Sequence, residues 1–154
     1  MKNILILVLL FAAAGSYAQI NNVQFINPST LSSPKGYSHA AIIDLGTCNM
    51  VIMSGQVPLD STGNFIGKGD FTLQAETVFA NIKKLVIAAG GNMDNVVKLG
   101  YFVLDVSQLQ TLRTVRDRFV NTQHPPASTL VQVSKLFRDD VLLEVEATAI
   151  IPKK

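Results

Sequence analysis

Two stretches near the carboxyl end of the chain decide its fold: Pro126-Ala127-Ser128-Thr129-Leu130-Val131 and, after a short polar loop, Leu142-Leu143-Glu144-Val145-Glu146-Ala147. Both are predicted to be strands, because apolar and β-branched residues are interleaved with polar ones. Successive side chains of a strand point to opposite faces of a sheet. In the final strand one face carries Leu143, Val145, Ala147 and Ala149, and the other carries Leu142, Glu144, Glu146, Thr148 and Ile150. Both faces therefore hold apolar residues that need to be covered.

Further strands are predicted upstream. Two of them flank a four-residue turn at residues 46–49 and form a β-hairpin. The predicted strands cover residues 39–45, 50–55, 96–103, 127–133 and 141–151, and residues 24–26 are compatible with a short extra strand.

Two helices separate these strands. The first is predicted over residues 71–89, where apolar residues recur with a 3.6-residue period. Asp70 is a suitable N-cap, and Gly90-Gly91 supplies a left-handed stop. The second helix buries a stripe formed by Leu109, Leu112, Val115 and Phe119. Its charged residues, Arg113, Arg116, Asp117 and Arg118, are expected on the solvated face.

The resulting order is β-β-α-β-α-β, which predicts an α+β domain with both helices on one face of a mixed sheet. Helices on one face leave the other face open. Because large exposed apolar patches are rare on soluble monomers, we expect the open face to be covered by another chain.

The first eighteen residues have the layout of a secretory signal peptide. A basic start at Lys2 precedes the apolar run 4–14, and the small residues Ser16-Tyr17-Ala18 precede Gln19. An uncleaved membrane anchor is the alternative, but the run falls short of the ~20 residues that span a bilayer. We therefore expect a signal peptide at 1–18, a single domain at 19–154, export to the periplasm and no stable membrane insertion.

Composition excludes several classes of site. The formal net charge is +2 and only 16% of residues are charged, which disfavours nucleic acid as a partner. Cys48 is the single cysteine, so no intrachain disulfide forms. His39 and His124 have no metal-ligand spacing with each other or with Cys48. We expect neither a metal nor a cofactor.

Four motifs in order resemble one known family. They are Gly36-Tyr37-Ser38-His39-Ala40, Met53-Ser54-Gly55-Gln56-Val57-Pro58, and the two stretches quoted first. Together they resemble the Rid family, also called YjgF, the reactive intermediate or imine deaminases, and the resemblance covers nearly all of residues 19–154. It implies a chorismate-mutase-like fold and a homotrimer with small-molecule clefts between adjacent subunits.

The resemblance also implies a reaction and its residues. Active members hydrolyse imines or enamines derived from amino acids to 2-keto acids and ammonia. Glu144 matches the glutamate that activates water, Tyr37 matches the pocket tyrosine, and Ser54 with Gly55 matches the turn that lines the ligand. Such a reaction needs a carboxylate near the imine carbon and a cation for the carboxylate of the substrate.

Two positions depart from the family pattern in a way that bears on function. Ser128 stands where the resemblance places the substrate-binding arginine, and Arg113 stands where it places an asparagine. Arg113 is either a substitute cation or a surface arginine.

Two functions remain open. One is an exported imine or enamine hydrolase with altered substrate recognition. The other is a non-catalytic trimeric module that binds a small molecule in the periplasm, since imines of amino-acid metabolism arise mostly in the cytoplasm. A ribonuclease activity, sometimes attached to the family, is disfavoured by the weak charge.

Overall fold

The computed structural model describes residues 22–153, so the expected signal peptide at 1–18 lies outside the described residues. The chain forms a six-stranded sheet with two α-helices. The strands are β1 (Val23–Ile26), β2 (Ala40–Asp44), β3 (Cys48–Gln56), β4 (Val96–Val103), β5 (Ala127–Gln132) and β6 (Leu143–Pro152). The helices are α1 (Phe71–Ala88) and α2 (Leu109–Arg116), and 3-10 turns at Met93–Asn95 and Val106–Gln108 lead into β4 and α2.

The strands lie in the order β1-β2-β3-β6-β4-β5. All neighbours pair antiparallel except β4 and β5, which are parallel. The mixed sheet with two helices confirms the predicted α+β architecture. The short strand compatible with residues 24–26 is also present, as β1 at the edge beside β2.

The predicted hairpin turn at residues 46–49 was wrong in its position. Strand β3 begins at Cys48, and Asn49 pairs with Asp44. Gly46 has a φ of +88°, and its N–H donates to the Asp44 carboxylate at 2.7 Å, which closes the turn within three residues. Cys48 is therefore a half-buried strand residue and not a turn residue.

Helix α1 begins and ends where its caps predicted. The Asp70 carboxylate accepts a hydrogen bond from the N–H of Leu73 at 3.0 Å, and Gly90 adopts a φ of +89° just after the helix. Helix α2 is shorter than its apolar stripe suggested. After Arg116 the chain tightens into i to i+3 bonds, as in the 2.8 Å bond from Phe119 N–H to the Arg116 carbonyl, and this turn stacks Phe119 on Phe79 with 5.4 Å between ring centroids.

Two buried amides tie α1 to the loops beside it. The Gln74 side chain accepts from the N–H of Leu142 and donates to the carbonyls of Gly67 and Asp140, each at 2.9 Å. The Asn81 amide donates to the carbonyl of Leu59 at 2.9 Å. Because unpaired buried backbone groups are costly, these contacts fix both loops against α1.

The pleat of the sheet divides the side chains as the sequence predicted. In β6 the odd-numbered residues from Leu143 to Ile151 are buried under the helices, and the even-numbered ones lie on the open face. Strand register extends this division across the sheet. Apolar side chains on the open face include Phe25, Ile43, Met50, Ile52, Val131 and Ile150.

Association through this face stays a prediction, and Ile52 tests it. The side chain is 44% exposed in the single chain. By light scattering we expect the native protein to have the mass of a multimer and Ile52→Lys to have the mass of a single chain. The interface would otherwise bury an unpaired ammonium group, at a cost of several kcal/mol. Ile87→Lys on the outer side of α1, at a residue 56% exposed, is the matched control and should keep the native mass. A monomeric native protein, or an unchanged mass for Ile52→Lys, would contradict the prediction.

Candidate functional site

A cavity of about 350 Å³ lies where the loop before β2 meets the ends of β3 and β6. Four of the predicted site residues, Tyr37, Ser54, Gly55 and Glu144, line it. The remaining wall is apolar and is formed by Val57, Leu59 and Phe137. The cavity therefore combines a carboxylate and a phenol with a largely apolar wall, an arrangement typical of small-molecule sites.

The Glu144 side chain rests directly on Gly55. The pairing of β3 with β6 shifts register between Met53 and Gln56, which brings the two residues together. A Cβ added at Gly55 would overlap the Glu144 carboxylate. A side chain at this position would therefore displace the Glu144 carboxylate from its place over the glycine, and the φ of Gly55 is not in the left-handed region.

Electrostatics favour the protonated forms of both titratable groups in this cavity. Glu144 is half-buried, and its pKa is raised first by burial and second by the negative charge of Glu146. The pKa of Tyr37 is also raised, by burial and then by the charge of Glu144. A carboxylate with a raised pKa accepts a proton more readily, which suits a general base. Tyr37 remains a neutral hydroxyl donor.

Tyr37 is positioned by His39. The two rings meet edge to face with 5.5 Å between centroids. His39 is buried, its backbone N–H donates to the Asn27 side chain at 2.8 Å, and its Nε2 lies 2.7 Å from the Ser32 carbonyl. That carbonyl can only accept, so Nε2 carries the proton. His39 therefore fastens the loop that presents Tyr37.

Ser54 lines the cavity, but its hydroxyl and its N–H both donate to backbone carbonyls. Its Oγ donates to the carbonyl of Ser38 at 2.7 Å, and its N–H donates to the carbonyl of His39 at 3.0 Å. Both bonds hold the end of β3 against the loop that carries Tyr37. In this arrangement Ser54 shapes the site, and its hydroxyl proton is already engaged.

The apolar wall is held from behind by helix α1. The Asn81 side chain donates to the carbonyl of Leu59. The Gln74 side chain bonds the carbonyl of Asp140 and the N–H of Leu142, at the end of the Phe137 loop that leads into β6. Since Gln74 and Asn81 lie seven residues apart, they share one face of the helix. One helix face therefore positions two walls of the cavity.

The other two predicted site residues, Ser128 and Arg113, lie elsewhere. They line a separate pocket of about 130 Å³ between α2 and the edge of the sheet. The other residues that line this pocket are Tyr101, Leu109, Leu112, Arg116 and Leu130. Within one chain, Arg113 does not enter the cavity of Glu144.

Strand register explains the separation. Ser128 pairs with Leu99, which is buried beneath the helices. Glu144 pairs with Phe102, which points to the open face. The two side chains consequently lie on opposite faces of the same sheet, and no rotamer change within one chain brings them together.

Sequence reasoning missed several lining residues. Phe137 is a lone aromatic residue in a polar loop, a signal that was available in the sequence, and the structure shows it 62% exposed. Arg116 was assigned to the solvated face, yet its side chain is only 25% exposed. Its spacing of three from Arg113 places both on one side of α2, and this spacing was the overlooked signal.

Within residues 22–153 no group of three or more His, Cys, Asp or Glu side chains could hold a metal ion. In the same part of the chain, no helix has the length and apolar character needed to cross a membrane.

Comparison with known proteins decides the family. The sequence model of the family described as Endoribonuclease L-PSP matches residues 28–151. The chain belongs to this family, Rid/YjgF. Its membership agrees with the resemblance of the four motifs, which lie within or overlap the matched region.

Several Rid-family relatives are similar over most of the chain. The 2-iminobutanoate/2-iminopropanoate deaminase of Salmonella typhimurium is 36% identical over 111 residues, which make up 70% of this chain and 83% of the relative. The crystal structure of RidA from the Antarctic bacterium Psychrobacter sp. PAMC 21119 is 32% identical, with a TM-score of 0.72 over 83% of this chain and 99% of that one. The crystal structure of E. coli TdcF with bound serine is 31% identical, with a TM-score of 0.70 over 82% of this chain and 98% of that one.

In this Rid-family chain the two carboxylates of β6 are electrostatically coupled. Replacing Glu146 by glutamine removes one of the two causes that raise the pKa of Glu144. We expect the pKa of Glu144 to fall in Glu146→Gln, measured by carboxyl ¹³C NMR titration. Glu76→Gln removes a carboxylate that pairs with Arg118 and should leave the pKa of Glu144 unchanged. A Glu144 pKa that stays constant in Glu146→Gln would contradict the coupling.

Proposed function

We propose that this chain hydrolyses imines or enamines of small amino acids to 2-keto acids and ammonia. The observation that carries the proposal is the half-buried Glu144 carboxylate, which faces a cavity shared with Tyr37 and has a raised pKa. Rid-family membership supports it, since relatives such as the Salmonella typhimurium protein bear the name 2-iminobutanoate/2-iminopropanoate deaminase.

The residues of the cavity supply what the reaction requires. Glu144 accepts a proton from water as the water oxygen bonds to the carbon of the protonated imine, which yields a neutral carbinolamine. The proton then passes from Glu144 to the amine nitrogen. The carbon–nitrogen bond breaks, the carbinolamine hydroxyl passes its proton to the free Glu144 carboxylate as C=O forms, and the departing ammonia takes that proton and leaves as ammonium. No redox change occurs, and the net consumption is one water for each imine. General acid–base catalysis of this kind contributes about 10² to 10⁴ in rate.

A complete site is proposed to lie between adjacent chains of a homotrimer. Ser128 and Glu144 occupy opposite faces of one sheet, so a substrate that reaches both regions needs two chains. The open apolar face offers a surface for that contact. The relative TdcF was crystallised with serine, an amino acid, which accords with a ligand that carries a carboxylate.

Removal of the proposed base tests the reaction directly. We expect ammonia release from 2-iminobutanoate, generated in the assay and corrected for spontaneous hydrolysis, to fall by about 10² or more in Glu144→Gln. Glu146→Gln is the matched control, because Glu146 rests over Gly100 and does not line the cavity, and its activity should stay within about tenfold of the native protein. Equal rates for the native protein and Glu144→Gln would rule out this role for Glu144.

A non-catalytic binding module is the second candidate, and Ser128 is the observation that favours it. A serine offers one neutral hydroxyl, whereas an arginine would offer a bidentate, charge-assisted contact. The same assay separates the two candidates. Saturable binding of a 2-keto acid by a native protein that releases no ammonia above background would establish the binding module.

Export to the periplasm is proposed from the signal-like segment at residues 1–18. When the whole chain is expressed in a Gram-negative host, we expect to find it in the periplasmic fraction. Its mass, measured by intact-protein mass spectrometry, should equal that of a chain that begins at Gln19. Ala18→Glu should block processing, because the cleavage site requires small residues. A mass that includes residues 1–18 in the native protein would contradict the proposal.

A further inference from the structure

The pocket beside Ser128 is lined by hydrogen-bond donors and apolar side chains. Arg113 and Arg116 reach it from α2, and Ser128 and Leu130 reach it from the helix-covered side of β5. Arginine is a pure donor, and its charge is retained at all physiological pH values. Leu109, Leu112 and Leu130 complete the walls.

Arg113 is exposed in the single chain, and its positive charge has no ion-pair partner among the described residues. Among the arginines of residues 22–153, Arg116, Arg118 and Arg138 each form an ion pair with an acidic residue. Arg113 forms none within that part of the chain. Arg116 binds Asp117 through Nε and Nη2, which leaves Nη1 with two unused N–H donors.

The floor of the pocket contains an unsatisfied donor. Tyr101 is 4% exposed, and its hydroxyl has no hydrogen-bond partner among the described residues. Arg116 lies close enough for its charge to act on this hydroxyl. Burial raises the pKa of Tyr101 to about 12, against the opposing charge of Arg116, so the phenol keeps its proton. Buried polar groups without partners are uncommon and call for an explanation.

The size of the pocket restricts what can enter. A volume of about 130 Å³ accommodates roughly four water molecules, since each takes about 30 Å³. A carboxylate with its adjacent carbon is of that size. Its two oxygens can accept from the guanidinium groups and from the Ser128 or Tyr101 hydroxyl.

We propose that Arg113, supported by Arg116, Ser128 and Tyr101, binds the carboxylate of a small 2-keto or 2-imino acid. The cation of the site then comes from helix α2 instead of strand β5, and Ser128 contributes only a hydroxyl. The inference deepens the proposed function, on which it rests, by assigning residues to the recognition of the acid group.

Pyruvate is the probe, and the native assembly of residues 19–154 is the protein. Titration calorimetry or ligand-observed NMR of Arg113→Gln should show pyruvate affinity weakened by about tenfold or more, the loss expected for one charge-assisted hydrogen bond. Arg118→Gln removes the same charge outside the pocket, where Arg118 pairs with Glu76, and should stay within about twofold. Pyruvamide, which lacks the charge, should bind weakly and respond little to Arg113→Gln. Unchanged affinity in Arg113→Gln, or no saturable binding of pyruvate, would overturn the proposal.

A second variant locates the binding site. An arginine at residue 128 would lie against Arg113 and Arg116, so Ser128→Arg should improve affinity only after Arg113 is removed. We expect Arg113→Asn with Ser128→Arg to recover most of the affinity that Arg113→Asn loses. A double variant no better than Arg113→Asn would place the carboxylate elsewhere.

Failure of this inference is distinguishable from failure of the proposed reaction. Pyruvate binding is measured without turnover, and Glu144→Gln leaves the Arg113 pocket intact. Pyruvate binding that depends on Arg113, in a protein without deaminase activity, would retain the pocket and remove the reaction. Deaminase activity that is unaffected by Arg113→Gln would retain the proposed reaction and remove the carboxylate-binding role of Arg113.

Discussion

The two-residue repeat of the β-pleat is the constraint on which the rest of this protein depends. Strands β6, β4 and β5 are hydrogen-bonded in register, so the direction of one side chain fixes the directions of its neighbours across the sheet. Leu143, Val145 and Ala147 are buried beneath the helices, which obliges Glu144 and Glu146 to occupy the opposite face. A shift by one residue would exchange core and site together, so selection for a packed core also preserves the orientation of the acidic residues.

Helix α1 links this core to the cavity. Its apolar face packs on the sheet, while Gln74 and Asn81, both buried, bond backbone groups of the loops on either side of the cavity. Amide side chains suit this role because they donate and accept at once. The walls of the cavity are loop segments, yet they are held by a rigid element. Such support is what a site needs to keep its geometry during catalysis.

Local signals were sufficient for much of the fold. Asp70 and Gly90 mark α1 through chemistry that acts within one turn, and alternation in β6 assigned Glu144 to its face correctly. The predicted position of the hairpin turn was wrong because the backbone N–H of Gly46 donates to the Asp44 carboxylate and tightens the turn by a residue. The separation of Ser128 from Glu144 was beyond local reasoning, because the face of Ser128 follows from parallel pairing with β4, some thirty residues earlier in the chain. The partial burial of Arg116 was missed for a similar reason, since only the packed position of α2 shows which of its polar residues is shielded.

The contact between Gly55 and Glu144 and the exposure of Ser128 at an edge strand set different tolerances to change. A side chain at Gly55 would meet the carboxylate, so a substitution at Gly55 changes the position of Glu144. Ser128 is exposed in the single chain on β5, the last strand of the sheet, and few packing interactions oppose its replacement. A substitution at residue 128 is therefore expected to alter the lining of the pocket beneath α2 at little cost in folding stability. A substitution at Gly55 would instead move the carboxylate that lines the other cavity.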